Sequence, residues 1–350
     1  MTTLSLGQPY RRGAAPKAGI EAVRETDTDA LTSRLAACRA GYLPPDSYAE
    51  MQASPQSREA HRPPLISIGT YLRAREMDRH MEHFLATGSL RQETASSTTP
   101  VQVINIGAGS DTRFWRMSMA TSNVALYVEL DFPETTRQKA ACIEQHEAMQ
   151  MPLGSWTRTD DGLEADKYWL VGADLSTLRT SETWDRLRSR LDPSYPTLIV
   201  CECVLAYLDA EQANTLLQGW LEQLSHVAIL SYDICLGGDA PDTQEPTRFG
   251  HVMLQNLAVR RLTLPGARQC ISPEAYTRRF VALAHASLAT ASEPHMHLAQ
   301  EAYSLREAWL QLPRAERERV SQLERLDEVE EMEMLLAHYC MAWVEKTIVQ

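Results

Sequence analysis

Three acids, Asp131, Asp174 and Glu202, each end a short apolar run, in Glu129-Leu130-Asp131, Ala173-Asp174-Leu175 and Cys201-Glu202-Cys203. Upstream, an apolar stretch over 101–106 runs into the turn NIGAGSDT at 105–112. Gly107 and Gly109 remove side chains so that a ligand can approach the backbone, and a following helix would offer N–H groups to a carboxylate. The turn is half a dinucleotide fingerprint, because Thr112 stands where the third glycine would be. Asp131 lies about 20 residues beyond the turn, the offset of an acid that accepts from both hydroxyls of a ribose. Standing before Phe132-Pro133, it also reads as a helix N-cap. Glu202, embedded in LIVCECVLAYL, would be costly to desolvate without a partner.

A frame must bring these residues together. From Val101 onward, short β-branched runs alternate with helical stretches, the pattern of an open parallel sheet covered on both faces. Strands are expected at 101–106, 124–130, 168–173, 197–201 and 227–232, with helices over 134–150, 181–191 and 210–224. Ligands bind such sheets outside the carboxyl ends of the strands, at the switch in strand order, so the glycine turn and the three acids share one crevice. Three carboxylates repel a pyrophosphate and suit a cofactor with an ammonium, a sulfonium and a ribose. S-adenosyl-L-methionine carries all three. The expected fold is α/β: a class I, Rossmann-like methyltransferase with a mostly parallel seven-stranded sheet, an N-terminal helical extension and a lid insertion after the fifth strand.

Residues 1–25 lack periodicity and are expected to be disordered, leaving 26–350 as a single domain. Its parts are a helical extension (26–100), a cofactor-binding core (101–235), a lid or substrate insertion (236–280) and C-terminal helices with closing strands (281–350). Within the extension, helices are expected at 29–40 and 71–85, followed by the polar connector RQETASSTTP at 91–100. The insertion carries the helix RFGHVMLQNLAVRR.

The balance of 34 Lys+Arg against 46 Asp+Glu, a formal charge of -12, argues against a nucleic-acid partner. No continuous apolar segment would span a membrane or direct secretion. Seven cysteines without a C-x-x-C pair fit reduced thiols in the cytoplasm, with a nuclear pool allowed. Cys201 with Cys203, His80 with His83 and His295 with His297 have no second ligand pair, and no metal is assigned.

The blocks DALTSRLAACRAGYL, GTYLRAR, VINIGAGSDTRFWR, YVELDFPETTRQK, ADL at 173–175, ECVLAYL at 202–208, RFGHVMLQNL and LPRAERERVSQLERLDEVEEMEMLLAHYC run in order from about residue 29. Together they resemble the leucine carboxyl methyltransferase family, which methylesterifies the C-terminal leucine of the protein phosphatase 2A catalytic subunit. The resemblance implies that Gly107 is the cofactor-binding glycine, beside Gly109 which the turn itself marks as cofactor-binding, Asp131 the ribose-binding acid, and Asp174 with Leu175 the pair beside the adenine. It places Glu202 near the methionine part of the cofactor. Arg73 would grip a carboxylate of the cofactor or of the substrate tail, and Arg34 stands where other members have lysine. Tyr207 is a candidate wall of the active site, alongside Arg73 as the catalytic pair. A monomer acting on the phosphatase tail is the expectation.

Other readings are a relative acting on a small-molecule or tRNA-base carboxylate, and a non-catalytic phosphatase-binding protein. A tRNA-modifying relative would carry a repeat of about 50 residues after this domain, and the 350 residues contain none. From its isolation in the sequence, Glu202→Ala is expected to weaken cofactor binding more than it unfolds the chain.

Overall fold

A computed structural model describes residues 19–91, 96–118, 123–240, 243–288, 295–327 and 329–349. Residues 1–18 of the expected disordered segment and 92–95 of the polar connector lie outside the described residues. Nine described strands form one sheet: β1 Val101–Ile106, β2 Val124–Asp131, β3 Trp156–Arg158, β4 Leu163–Ala165, β5 Tyr168–Gly172, β6 Thr197–Glu202, β7 His226–Ile234, β8 His295–Ser304 and β9 Tyr339–Val349. Their order is β3-β4-β5-β2-β1-β6-β7-β9-β8. The five strands from β5 to β7 are parallel, and the pairs β7–β9 and β9–β8 are antiparallel.

Seven of these strands make the expected Rossmann-like sheet. The expectation is extended by the β3–β4 hairpin at one edge, whose three-residue strands are too short to show a period of two. The central strands read as unbroken apolar runs because both faces are covered. One layer buries Met77, Met81 and Phe84 with Trp115 and Tyr168, and the other buries Trp184, Trp220 and Phe280 with Ile199. β1 buries two polar side chains, Asn105, which donates to Asp111 Oδ2, and Gln102. The Gln102 side chain donates to Asp192 O and Thr197 Oγ1 and accepts from Asp192 N, so its burial leaves no amide atom unpaired.

Three helices outside the sheet carry the site. The helix Pro64–Thr87 opens with proline at its first turn and ends at Gly88, whose φ of +74° closes the last turn through a bond to Phe84 O. The helix Arg248–Val259 is capped by Thr247 and sits within the expected insertion. The N-terminal helix, Gly19–Arg39, corrects the boundary drawn at residue 25, since 19–25 are helical rather than disordered. Its first turns have little apolar patterning and are fixed by polar contacts instead. Arg24 lies 4.0 Å from Glu134, and Asp27 binds Ser110.

At the switch in strand order, between β1 and β6, the two following turns touch. Gly107 has φ +68°, and a Cβ there would stand 2.5 Å from a methyl of Val204. Gly107→Ala therefore combines left-handed strain with overpacking, and it should destabilise the fold by about 1–3 kcal/mol. Urea unfolding of the variant measures this directly.

Candidate active site

A cavity of about 900 Å³ opens over the carboxyl ends of the parallel strands. All nine residues singled out above line it: Arg34, Arg73, Gly107, Gly109, Asp131, Asp174, Leu175, Glu202 and Tyr207. The N-terminal helix, the helix Pro64–Thr87 and the helix Arg248–Val259 supply further walls, the last through Met253, Asn256 and Leu257.

The glycine turn is held by acids. Gly107 N and Ala108 N donate to Leu130 O, and Gly109 N donates to Asp131 Oδ2 at 2.7 Å. Ser110 N and Oγ both donate to Asp27 Oδ1, at 2.8 and 2.7 Å. Asp131 also accepts from Phe132 N at 2.6 Å. The N-cap of the next helix is Phe132, which removes the capping alternative for Asp131. Burial pushes the Asp131 carboxyl above its ordinary range, and the bonds from Gly109 and Phe132 oppose that rise. Asp174 is exposed and folds an Asx turn, accepting from Ser176 N and Oγ. Burial raises the Tyr207 hydroxyl, which keeps it protonated.

Glu202 is fully engaged. One carboxylate oxygen accepts from Arg73 Nε, and the other from Arg113 Nη1 at 2.6 Å. Arg113, 5% exposed, also reaches Asp111 Oδ2 at 2.5 Å and Asp78 Oδ1 at 2.7 Å. Burial alone would raise the Glu202 pKa; Arg113 and Arg73 outweigh it and hold the group ionised. The chain leaves Glu202 through Cys203 in a left-handed conformation, φ +57°, with Cys203 N bonded to Tyr232 O. Such a conformation is strained for a residue with a Cβ and marks a constrained position. The Arg73 guanidinium sits 5.3 Å from the centre of the Tyr232 ring, which stacks on Tyr339.

Arg34 and Arg73 share one arrangement. Arg34 Nε donates to Asp46 Oδ2 at 2.7 Å, as Arg73 Nε does to Glu202. Among the described residues, neither arginine's terminal nitrogens have a hydrogen-bond partner. Each guanidinium is thus pinned along one edge, with its fork available to a ligand in the cavity.

The donor set fits S-adenosylmethionine. The N–H groups of Gly109 and Ser110, which would cradle a pyrophosphate, are already taken by Asp131 and Asp27. A cationic, phosphate-free nucleoside is compatible with those carboxylates, and the two free forks suit its amino-acid carboxylate. Among the described residues, no cluster of His, Cys, Asp and Glu could hold a metal ion, and no helix is long and apolar enough to cross a membrane. The sheet order and this donor set together define a Rossmann-like, S-adenosylmethionine-dependent methyltransferase.

The family model described as leucine carboxyl methyltransferase matches residues 23–220. The chain is 32% identical to Leucine carboxyl methyltransferase 1 of Mycosarcoma maydis, across 92% of this chain and 77% of that protein. It is 33% identical to the protein of the same name from Cryptococcus neoformans, across 93% of each. Its identity to the one from Aspergillus fumigatus is also 33%, across 92% of this chain and 82% of that protein. The chain belongs to the leucine carboxyl methyltransferase family.

Glu202 is not isolated, as its sequence neighbourhood suggested, but holds two ion pairs, so Glu202→Ala is expected to cost fold stability as well as cofactor binding. The variant leaves Arg113 and Arg73 competing for what acid remains, and it should destabilise the protein by about 3–5 kcal/mol. Urea unfolding checks this. A second prediction concerns pH. Burial raises Asp46, Asp78, Asp111 and Glu202, but their arginine partners hold all four below the ordinary range, so their stabilisation is present above about pH 4 and is lost below it. Burial lifts Glu129 to about 7 and Asp233 to about 6. For these two groups stability is lost as pH rises through those values. The two sets together put maximum stability near about pH 5 rather than pH 7, measurable as the urea midpoint across pH.

Proposed function

We propose that this chain transfers a methyl group from S-adenosylmethionine to the α-carboxylate of the C-terminal leucine of the protein phosphatase 2A catalytic subunit. The product is a leucine methyl ester, which would regulate assembly of the phosphatase holoenzyme. The observation that carries this reading is Arg73, held by Glu202 through Nε alone at the floor of the cavity with its terminal nitrogens unpaired. The family name shared by the relatives supports the leucine carboxyl acceptor. Asp131 and Asp174 would bind the nucleoside, with Leu175 against the base, and Arg34 would take the amino-acid carboxylate.

The cofactor supplies an electrophilic methyl group on a sulfonium. A C-terminal carboxylate is ionised at neutral pH, so the chain need supply no general base. Its task is alignment and the exclusion of water. Arg73 can orient the acceptor carboxylate along one edge of its fork, and good alignment can lower a barrier by up to about 7–11 kcal/mol. The stacked pair Tyr232 and Tyr339 and the aliphatic groups of Met253, Leu257 and Leu335 wall the same cavity. They would strip water from the carboxylate and receive an aliphatic terminal side chain. A cytoplasmic monomer with a nuclear pool belongs to the same reading.

Incubation with labelled cofactor and phosphatase 2A catalytic subunit tests it. Label should enter the intact subunit, be released by mild base as an ester is, and fail to enter a subunit lacking its last leucine. Arg73→Lys should lower kcat/KM by about 100-fold, because an ammonium cannot be pinned along one edge while offering a fork. Equal labelling of the truncated subunit would overturn the assignment.

A further inference from the structure

Along the wall of the cavity and just behind it, seven charged groups of alternating sign form an unbroken chain. Arg73 meets Glu202; Glu202 meets Arg113 at 2.6 Å; Arg113 meets Asp78 at 2.7 Å; Asp78 meets Arg116 at 2.8 Å; Arg116 meets Asp46 at 3.6 Å; Asp46 meets Arg34 at 2.7 Å. Asp111 branches from Arg113. The two ends are the two arginines with free forks, and Asp78 lies in the middle. Asp78 stands on the helix Pro64–Thr87 and is not part of the cavity wall.

We infer that Asp78 is a positioning residue for Arg34, acting through Arg116 and Asp46 without touching a ligand. Charge balance gives the direction. The intact chain, with Asp111, pairs four cations with four acids. Removing the charge of Asp78 leaves Arg73 and Arg113 with Glu202 and Asp111, which is still balanced. At the other end it leaves Arg116 and Arg34 with Asp46 alone.

Arg116 Nε already stands 3.6 Å from the same Asp46 oxygen that holds Arg34, and it contacts Asp78 through both terminal nitrogens. Freed from Asp78, Arg116 closes on Asp46, and Arg34 loses its anchor. The effect falls on Arg34 and leaves Arg73 in place, although Asp78 is three contacts from each.

The inference rests on the proposed role of Arg34 toward the amino-acid carboxylate of the cofactor. S-adenosylhomocysteine keeps that carboxylate, so its binding to the full chain by calorimetry is the readout. If the wild-type chain does not bind it, the proposed function fails at that point. Given wild-type binding, Asp78→Asn should weaken affinity about tenfold and have no further effect in an Arg34→Gln background. It should add fully in an Arg73→Lys background.

The double variant Asp78→Asn with Arg116→Gln removes the surplus cation and should recover most of the affinity, which a simple loss of packing would not allow. A folded Asp78→Asn variant with wild-type affinity, or a loss fully additive with Arg34→Gln, overturns the inference. Should Asp78→Asn alone not fold, a folded double variant with near wild-type affinity upholds it. A double variant that is unfolded or still weak overturns it.

Discussion

One carboxylate, Glu202, is divided between two guanidinium groups that come from different parts of the chain. Arg73 arrives on a helix that precedes the sheet, Arg113 at the start of the helix that follows the glycine turn after β1, and Glu202 on the last residue of β6. The division is possible only if the turns after β1 and β6 approach closely, which requires no side chain at Gly107 against Val204. It also requires the chain to swing away after Glu202, which the left-handed Cys203 achieves. The sheet, the helical extension and the strained turn thus converge on a single acid. A largely buried charge is tolerable here because each of its two carboxylate oxygens faces a cation.

The electrostatics of the cavity differ from those of the whole chain. Against an overall charge of -12, the cavity is lined, among the described residues, by seven arginines and six acids and by no lysine. The choice of arginine follows from geometry. A guanidinium can spend its Nε edge on an internal acid and still present two coplanar donors, whereas an ammonium offers one point of charge. At position 34 the chain presents a second pinned fork, and Asp46, itself the cap of the helix Ser47–Gln52, is what pins it.

Much of this frame was legible in the residues. Continuous β-branched runs announced the parallel strands, and their polar ends marked the cavity, because a buried strand has no reason to end in an acid unless something at the sheet's edge meets it. Tyr168 to Gly172 and Thr197 to Glu202 fell within a residue of expectation. What could not be read was partnership. Glu202 looked isolated because Arg113 lies 89 positions away and Arg73 129 positions away, and pairing at such separations leaves no periodic trace. Asp46, Asp78 and Arg116 were passed over for the same reason. The start of the N-terminal helix was hidden differently, since it is held by Arg24 and Asp27 rather than by an apolar stripe.

Asp27 changes how selectivity toward other nucleotides should be understood. A glycine turn ahead of a helix is a generic receptor for anions, and a cell is rich in phosphorylated nucleotides that would visit it. Here the receptor arrives with its donors already saturated by two carboxylates of its own chain, one from β2 and one from a helix outside the sheet. A phosphate would have to displace both and then sit between their charges. Discrimination is therefore exercised by prior occupancy, before any contact with the correct ligand is made.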